Sequence, residues 1–344
     1  MVGAVGPVRP GFFCVQQKGM LVAFDPITAE ELWRRYELPQ YATCVGDDSR
    51  VALWGQGDRV AKVLRAIDGT FERFIDLPDE NANSLLTLGG HMLLARGQQN
   101  LAPNKKQGIG EGLLRHLDET SENDKTPLTL EWWNVIEATS IWKQDFAAGT
   151  IPFEIDQEWI GILEPGGTIQ ILEIQTGERI ASHVVKSPEE VHKVACSVGE
   201  ETLLIAISGE VNDPDLLTTK QVHEGYRREL VNGPLLCLKR RNGEKLWESL
   251  LKNTVFSLDQ PRDLPVFVLT SSRMDEKKSV APRSTLEIYD RRTGAEIYRN
   301  EDDGPKWTYY SISGDLETKR IRIKTQRVLF ELDYIEPVPE ESAN

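Results

Sequence analysis

The sequence predicts an all-β fold, a seven-bladed β-propeller of four-stranded antiparallel blades, and three observations carry that reading. First, one hairpin phrase recurs: an aliphatic strand, a polar residue, a Thr-Gly-type turn, then a strand ending in an aromatic. It is clearest at Leu21–Trp33 (LVAFDPITAEELW), Leu235–Trp247 (LLCLKRRNGEKLW) and Leu286–Tyr298 (LEIYDRRTGAEIY). Second, the turn-glycine slot falls at Ala29, Gly69, Ala138, Gly177, Gly243 and Gly294, and two of the intervals are about forty residues, the period of a four-stranded blade. Third, two further apolar stretches precede each hairpin, so each unit holds four strands.

The units follow in order along the chain. Ala42–Val45 and Val51–Trp54 precede the second hairpin, and Leu85–Leu88 and Met92–Ala95 the third. Ile151–Ile155 and Trp159–Leu163 precede the fourth; Val194–Val198 and Leu203–Ile207 precede the fifth. Gly, Asp or Glu turn residues separate each pair, as short loops between strands require. A seventh copy without the glycine lies at Leu329–Asp333, and the polar slot is then Asp25, Arg65, Asn134, Glu173, Lys239, Asp290 and Asp333. Such varied residues suit a turn that tolerates any polar side chain rather than a ligand. Radial repetition of these units hides sheet edges. The chain after Asp333 contains Pro337 and Pro339, which cannot donate ladder hydrogen bonds. The last blade is therefore expected to lack a full outer strand, and Val2–Val8 to pair there or as the first strand of the first blade.

Each slot has a physical reading. Glycine supplies the positive φ of a tight hairpin without strain. The aromatic slot, Trp33, Trp142, Trp247 and Tyr298, places a large ring where it can cover the gap between blades. Arg73 and Ala181 occupy that slot in the second and fourth copies.

The run Ala23–Trp33 resembles the A-x-D-x-x-T-G-x-x-x-W tryptophan-docking repeat of the quinoprotein-type propellers, with Gly177, Gly243 and Gly294 restoring the glycine that Ala29 replaces. That superfamily includes pyrroloquinoline quinone (PQQ) dehydrogenases and the non-enzymatic outer-membrane assembly propeller lipoprotein. For the dehydrogenases the resemblance implies PQQ and Ca²⁺ over a central channel, and many of them carry adjacent cysteines. This chain has no Cys-Cys pair, so the likeness is nearer to the non-enzymatic member. The expected function is a protein-interaction platform without a cofactor, alone or within a larger chain. The alternatives are a PQQ-dependent dehydrogenase or another propeller enzyme, such as a hydrolase or lyase with channel-facing acids.

Composition bounds partners. The chain has 344 residues, 40% hydrophobic and 27% charged, with a net charge of −14. That is enough to bury one sizeable core, and the continuous repeat predicts one domain over residues 1–344. The acidity disfavours nonspecific binding of nucleic acid and of anionic lipid. No apolar stretch of about 18 residues or more is present, so no membrane insertion is expected. The start, MVGAVGPVRPGFFCV, shows no basic region before an apolar run. A cytoplasmic protein fits, as does a domain of a longer exported precursor. Cys14, Cys44, Cys196 and Cys237 lie far apart on predicted strands and are expected to be buried free thiols.

Chemical motifs are few. His91, His116, His183, His192 and His223 form no metal spacing, and the acid pairs Asp47-Asp48, Glu189-Glu190 and Asp302-Asp303 sit in turns. No catalytic, cofactor or metal residue is assigned. The long intervals place three insertions, Gln98–Pro127, Gly209–Pro234 and Ser271–Ser284, each between a second strand and a hairpin. In up-and-down blades those loops share a face, which in repeat folds often binds. Gly108, Gly110 and Gly112 lack the Lys-Ser/Thr of a phosphate loop, and Gly112–Glu119 is expected as a short helix. Asp215–Leu230 is expected as a helix with Leu216, Leu217, Val222, Tyr226 and Leu230 on one side. Tyr226, Arg227 and Arg228 are the candidate partner-binding residues, Tyr and Arg being favoured at hot spots.

Overall fold

The computed structural model describes residues 5–97, 126–209, 228–300 and 310–333, apart from 18, 37, 40–41, 79–81, 259, 263, 274–282, 316 and 326–328. Among these residues every regular element is a strand, 26 in all. They form six antiparallel sheets in chain order.

The first sheet holds β1 (Val5–Arg9), β2 (Phe12–Gln17), β3 (Met20–Phe24) and β4 (Glu31–Arg35). The second holds β5 (Thr43–Gly46), β6 (Arg50–Trp54), β7 (Val60–Arg65) and β8 (Phe71–Asp76). The third holds β9 (Asn83–Leu88), β10 (His91–Arg96), β11 (Pro127–Asn134) and β12 (Thr139–Ala148). The fourth holds β13 (Ile151–Glu154), β14 (Trp159–Leu163), β15 (Thr168–Glu173) and β16 (Arg179–Val184). These four match the predicted blades strand for strand, and β1 is the first strand of the first blade.

The rest departs from separate blades. β17 (Lys193–Val198), β18 (Thr202–Ser208), β19 (Arg228–Lys239), β20 (Lys245–Ser257), β21 (Val266–Arg273), β22 (Arg283–Asp290) and β23 (Glu296–Asn300) make one seven-stranded sheet. The cause is the length of β20. Its first part pairs β19 as an outer strand, while Val255 and Phe256 also pair Thr270 and Leu269 of β21. One strand thus ends one four-stranded unit and begins the next. The last sheet, β24 (Tyr310–Asp315), β25 (Arg320–Thr325) and β26 (Leu329–Asp333), has three described strands.

The six complete hairpins share one geometry. The residue in the aromatic slot always faces the residue two before the polar slot: Ala23↔Trp33, Val63↔Arg73, Trp132↔Trp142, Ile171↔Ala181, Cys237↔Trp247 and Ile288↔Tyr298. The register then shifts by a bulge before the turn in every copy. A bulge twists the outer strand and re-aims its side chains. The aromatic slot is therefore not the end of its strand, as the sequence suggested; β12 and β20 run on well past Trp142 and Trp247.

Backbone hydrogen bonds close the turns. Ala29, Gly69, Gly177, Gly243 and Gly294 each donate N–H to the carbonyl of the polar-slot residue at 2.9 Å. The polar slot is degenerate because its backbone does this work. Ala29 and Ala138 take the same left-handed conformation as the glycines, with φ of 57° and 52°. Where the slot is Asp, the carboxylate adds bonds: Asp25 Oδ1 accepts from Ile27 and Thr28, and Asp290 Oδ1 from Arg292 and Thr293. Asp315 accepts from Glu317 and Thr318 in the β24–β25 turn.

These bonds stabilise the ionised carboxylates. Backbone N–H bonds from Thr28, Thr70 and Thr318 hold Asp25, Asp68 and Asp315 below the ordinary carboxylate value. A carboxylate with a lowered folded pKa stabilises the fold above its unfolded pKa and stops doing so as pH falls through the folded one. The urea midpoint should therefore fall as pH is lowered from about 6 to about 3. Asp25→Asn should flatten part of that slope, and a midpoint independent of pH would contradict the account.

Candidate functional site

The conspicuous residues of the repeat meet at the seams between successive blades. Trp33 of β4 lies on the turn of the next hairpin, where a Cβ on Gly69 would stand 2.6 Å from its ring. Its Nε1 donates to the Ala66 carbonyl at 2.6 Å. Trp142 repeats this on Gly177, with Nε1 donating to Ile174 O at 2.8 Å. Trp247 repeats it on Gly294, with Nε1 donating to Arg291 O at 2.9 Å. Ala66, Ile174 and Arg291 are equivalent, each one residue past the polar slot. Each also donates its N–H to the loop before the second strand of its own unit, to Ser49, Glu158 and Pro265. One peptide position thus ties the hairpin to its own blade and receives the indole of the previous one.

A second contact lies two residues beyond the aromatic slot. Arg35 Nε and Gln144 Nε2 donate to the carbonyls of Gly69 and Gly177 at 2.6 Å. His183 Nε2 reaches Gly243 O at 2.7 Å, and since the carbonyl can only accept, Nε2 carries the proton. Tyr298 packs on a cluster joining Val266, Leu286 and Ile288 to Ile321 and Ile323.

The two seams whose slot holds no aromatic residue use charge. At the second, Arg73 Nη2 donates to Ile136 O at 2.8 Å and pairs with Glu137 at 3.2 Å. Arg50 joins Glu72 at 3.0 Å and Glu137 at 2.7 Å. At the fourth, Ala181 lets the blades close until a Cβ on Gly243 would stand 2.5 Å from its methyl. Arg240 spans that seam, pairing with Asp156 and Glu158 at 2.7 Å over the face of Trp159, 4.1 Å from the ring centroid. Sequence reasoning missed Arg50, Glu137, Arg240 and Trp159. The available signal was the empty aromatic slot in their own or the preceding copy.

A cleft of about 490 Å³ opens where the first four blades converge, lined by Arg9, Asp47, Asp48, His91, Trp132 and Gln175 among others. His91 stacks on Trp132 with centroids 5.3 Å apart, and its Nδ1 donates to Gly89 O at 2.8 Å. Arg9 donates twice to Gly46 O and lies 3.8 Å from Asp48. Asp47 serves its turn, accepting from Ser49 and Arg50. The cleft can take a small polar group but brings together no nucleophile and base. Among the described residues no three His, Cys, Asp or Glu side chains form a group that could hold a metal.

Tyr226 and Arg227 lie outside the described residues, and Arg228 opens β19 with its side chain undescribed. The helix expected over Asp215–Leu230 is not what its end forms, because Arg228–Leu230 pair with Val255–Ser257 as strand. The rest of that segment lies outside the described residues, as does Gly112–Glu119. The flanks of all three insertions are strand: β10 to β11, β18 to β19 and β21 to β22. No described helix is long and apolar enough to cross a membrane.

No protein-family model matches the chain, and no curated protein matches it. Several solved structures are similar at low identity. BamB from Moraxella catarrhalis is 11% identical over 94% of this chain and 81% of that one, with a TM-score of 0.33. The computationally designed Ika8 protein is 12% identical, over 97% and 96%, with a TM-score of 0.34. The Myceliophteria thermophila Cps50 (Swd1) β-propeller domain is 10% identical, over 95% and 93%, with a TM-score of 0.32. At such scores the architecture rests on the chain's own hydrogen bonding and seams.

Two predictions concern the seams. Trp33→Ala, Trp142→Ala and Trp247→Ala should each cost about 3–5 kcal/mol in denaturant titrations, and Arg73→Ala far less. Equal losses in all four variants would rule out the docking role. Ala138→Gly should be neutral or stabilise by up to about 1 kcal/mol, since its turn receives Arg73 and not an indole. Gly177→Ala should cost about 2–4 kcal/mol, from left-handed strain and overlap with Trp142 together. The same titrations read the sign of each change.

Proposed function

We propose that this chain is a PQQ-like-repeat β-propeller of seven units, closed into one domain over residues 1–344, and that it serves as a non-enzymatic protein-interaction platform. The seven-stranded sheet counts as two units that share β20, which with the last sheet brings the total to seven. The observation that carries the reading is the placement of the insertions. All three leave the end of a second strand and return at the start of a third, so they emerge on one face. Long insertions confined to one face of a repeat fold suit recognition of a partner. The repeat's own tryptophans and glycines are engaged at seams, which supports a structural use for them rather than a cofactor stack. Tyr226, Arg227 and Arg228 remain the proposed anchors on that face, and an acidic chain favours a protein partner over nucleic acid.

The PQQ-dependent dehydrogenase is the second reading, resting on the sequence resemblance. Its Ca²⁺ calls for a cluster of oxygen ligands, carboxylates and carbonyls together. One experiment separates the two. Purified protein mixed with PQQ and Ca²⁺ should retain no quinone absorbance on gel filtration and should not reduce a dye acceptor with alcohols or sugars. Replacing residues 210–227 by a short turn should leave the melting temperature within a few degrees, since surface loops are tolerant of length. It should also abolish binding of a partner recovered with the full chain. Quinone-dependent turnover would overturn the platform reading.

A further inference from the structure

The first seam holds a pair of thiols that the repeat does not account for. Cys14 lies on β2 of the first blade, and Cys44 on β5 of the second. Strand pairing places Cys14 opposite Ala23 and Cys44 opposite Leu53, so each is fixed by a ladder in its own sheet. Both belong to the apolar cluster beneath Trp33, with Val51, Leu53 and Leu64 contributed by the second blade. Within it Cys44 has the thiol of Cys14 as its neighbour. Two blades that are not ladder-paired to each other thus place a cysteine each in one apolar cluster.

We propose that Cys14 and Cys44 are a redox-active dithiol whose oxidation staples the first blade to the second. Their exposure suits this: Cys14 is fully buried, whereas Cys44 is partly exposed and gives a reagent its way in. The other two cysteines lack such a neighbour. Cys237 is buried and directs its thiol at the Arg291 carbonyl, 3.5 Å away. Cys196 lies on β17 and packs against the apolar cluster shared by the fourth blade and the next. In the reaction each thiol loses a proton, one sulfur–sulfur bond forms, and two electrons pass to an external acceptor. A small disulfide, reduced to two thiols, or a diazene, reduced to the hydrazine, serves as that acceptor. The neighbouring Cys14 thiol and burial push the Cys44 thiol well above the ordinary thiol range, so the pair should react slowly at neutral pH and persist as a disulfide once formed. The closed loop would tie the amino-terminal blade to its neighbour covalently, adding a second lock beside the Trp33 dock.

The test uses the intact native chain and the diazene oxidant diamide at mildly alkaline pH, followed by alkylation and mapping of unreduced peptides. The expected result is a linked peptide joining Cys14 to Cys44, with Cys196 and Cys237 outside any disulfide and Cys237 alkylated only after denaturation. The oxidised protein should melt several degrees higher than the reduced one, and dithiothreitol should reverse the shift. Cys44→Ser should lose both the linked peptide and the shift. The wild-type map decides the matter even if that variant folds poorly. Four free thiols after treatment, a link between two chains, or a link involving Cys196 or Cys237 would each overturn the proposal.

Discussion

An indole lying flat on a glycine turn is the contact on which the arrangement of this molecule depends. A four-stranded antiparallel sheet can close its own hydrogen bonds but leaves both faces in need of cover. Here the cover is another sheet, and the problem is how to hold two twisted sheets in one orientation. Trp33, Trp142 and Trp247 solve it at one point each. The ring buries a large apolar area against the next hairpin, while its N–H satisfies a turn carbonyl that the ladder leaves free. The dock works only if the receiving turn has no Cβ, and the left-handed conformation of that turn already favours glycine.

The partner of each tryptophan is therefore the glycine of the following copy, not the glycine of its own. That pairing explains the irregularities of the repeat. Ala138 is tolerated because its turn receives Arg73, whose guanidinium reaches past it to the Ile136 carbonyl. Gly243 is kept although Ala181 has replaced the indole, because backbone and methyl close into the vacated space. Apolar and ionic seams alternate along the first five contacts. The ionic ones are clusters of three or four charges and not single exposed pairs, and each has a carbonyl or an aromatic face adding to the charge. Isolated exposed pairs of this kind contribute little; the Arg240 cluster, half-buried against Trp159, is the better placed of the two.

The same logic separates the strand ends that hold the molecule together from those that carry the insertions. The hairpin turns face the seams and are occupied by them. The three long insertions all fall between second and third strands, at the opposite ends of the third strands from the hairpin turns. The cleft at Arg9, His91 and Trp132 lies among the turn-bearing ends of four blades.

By itself the sequence determined the strands, the hairpins and the spacing of the blades. These depend on local alternation and turn chemistry, which neighbouring residues carry: Asp25 to Trp33 contains its own bulge, turn and dock. It also marked Trp33, Trp142, Trp247, Gly177, Gly243 and Gly294 as one structural set. Only the tertiary structure decided which copy meets which, because a seam joins residues about thirty to ninety apart in sequence, with no local signal linking them. Arg240 over Trp159, Arg50 with Glu137, and Cys14 beside Cys44 could not be read from their own neighbourhoods for that reason. The fusion of two blades through β20 was hidden likewise. A strand's sequence says that it will pair, but the edges left open by its neighbours decide with what.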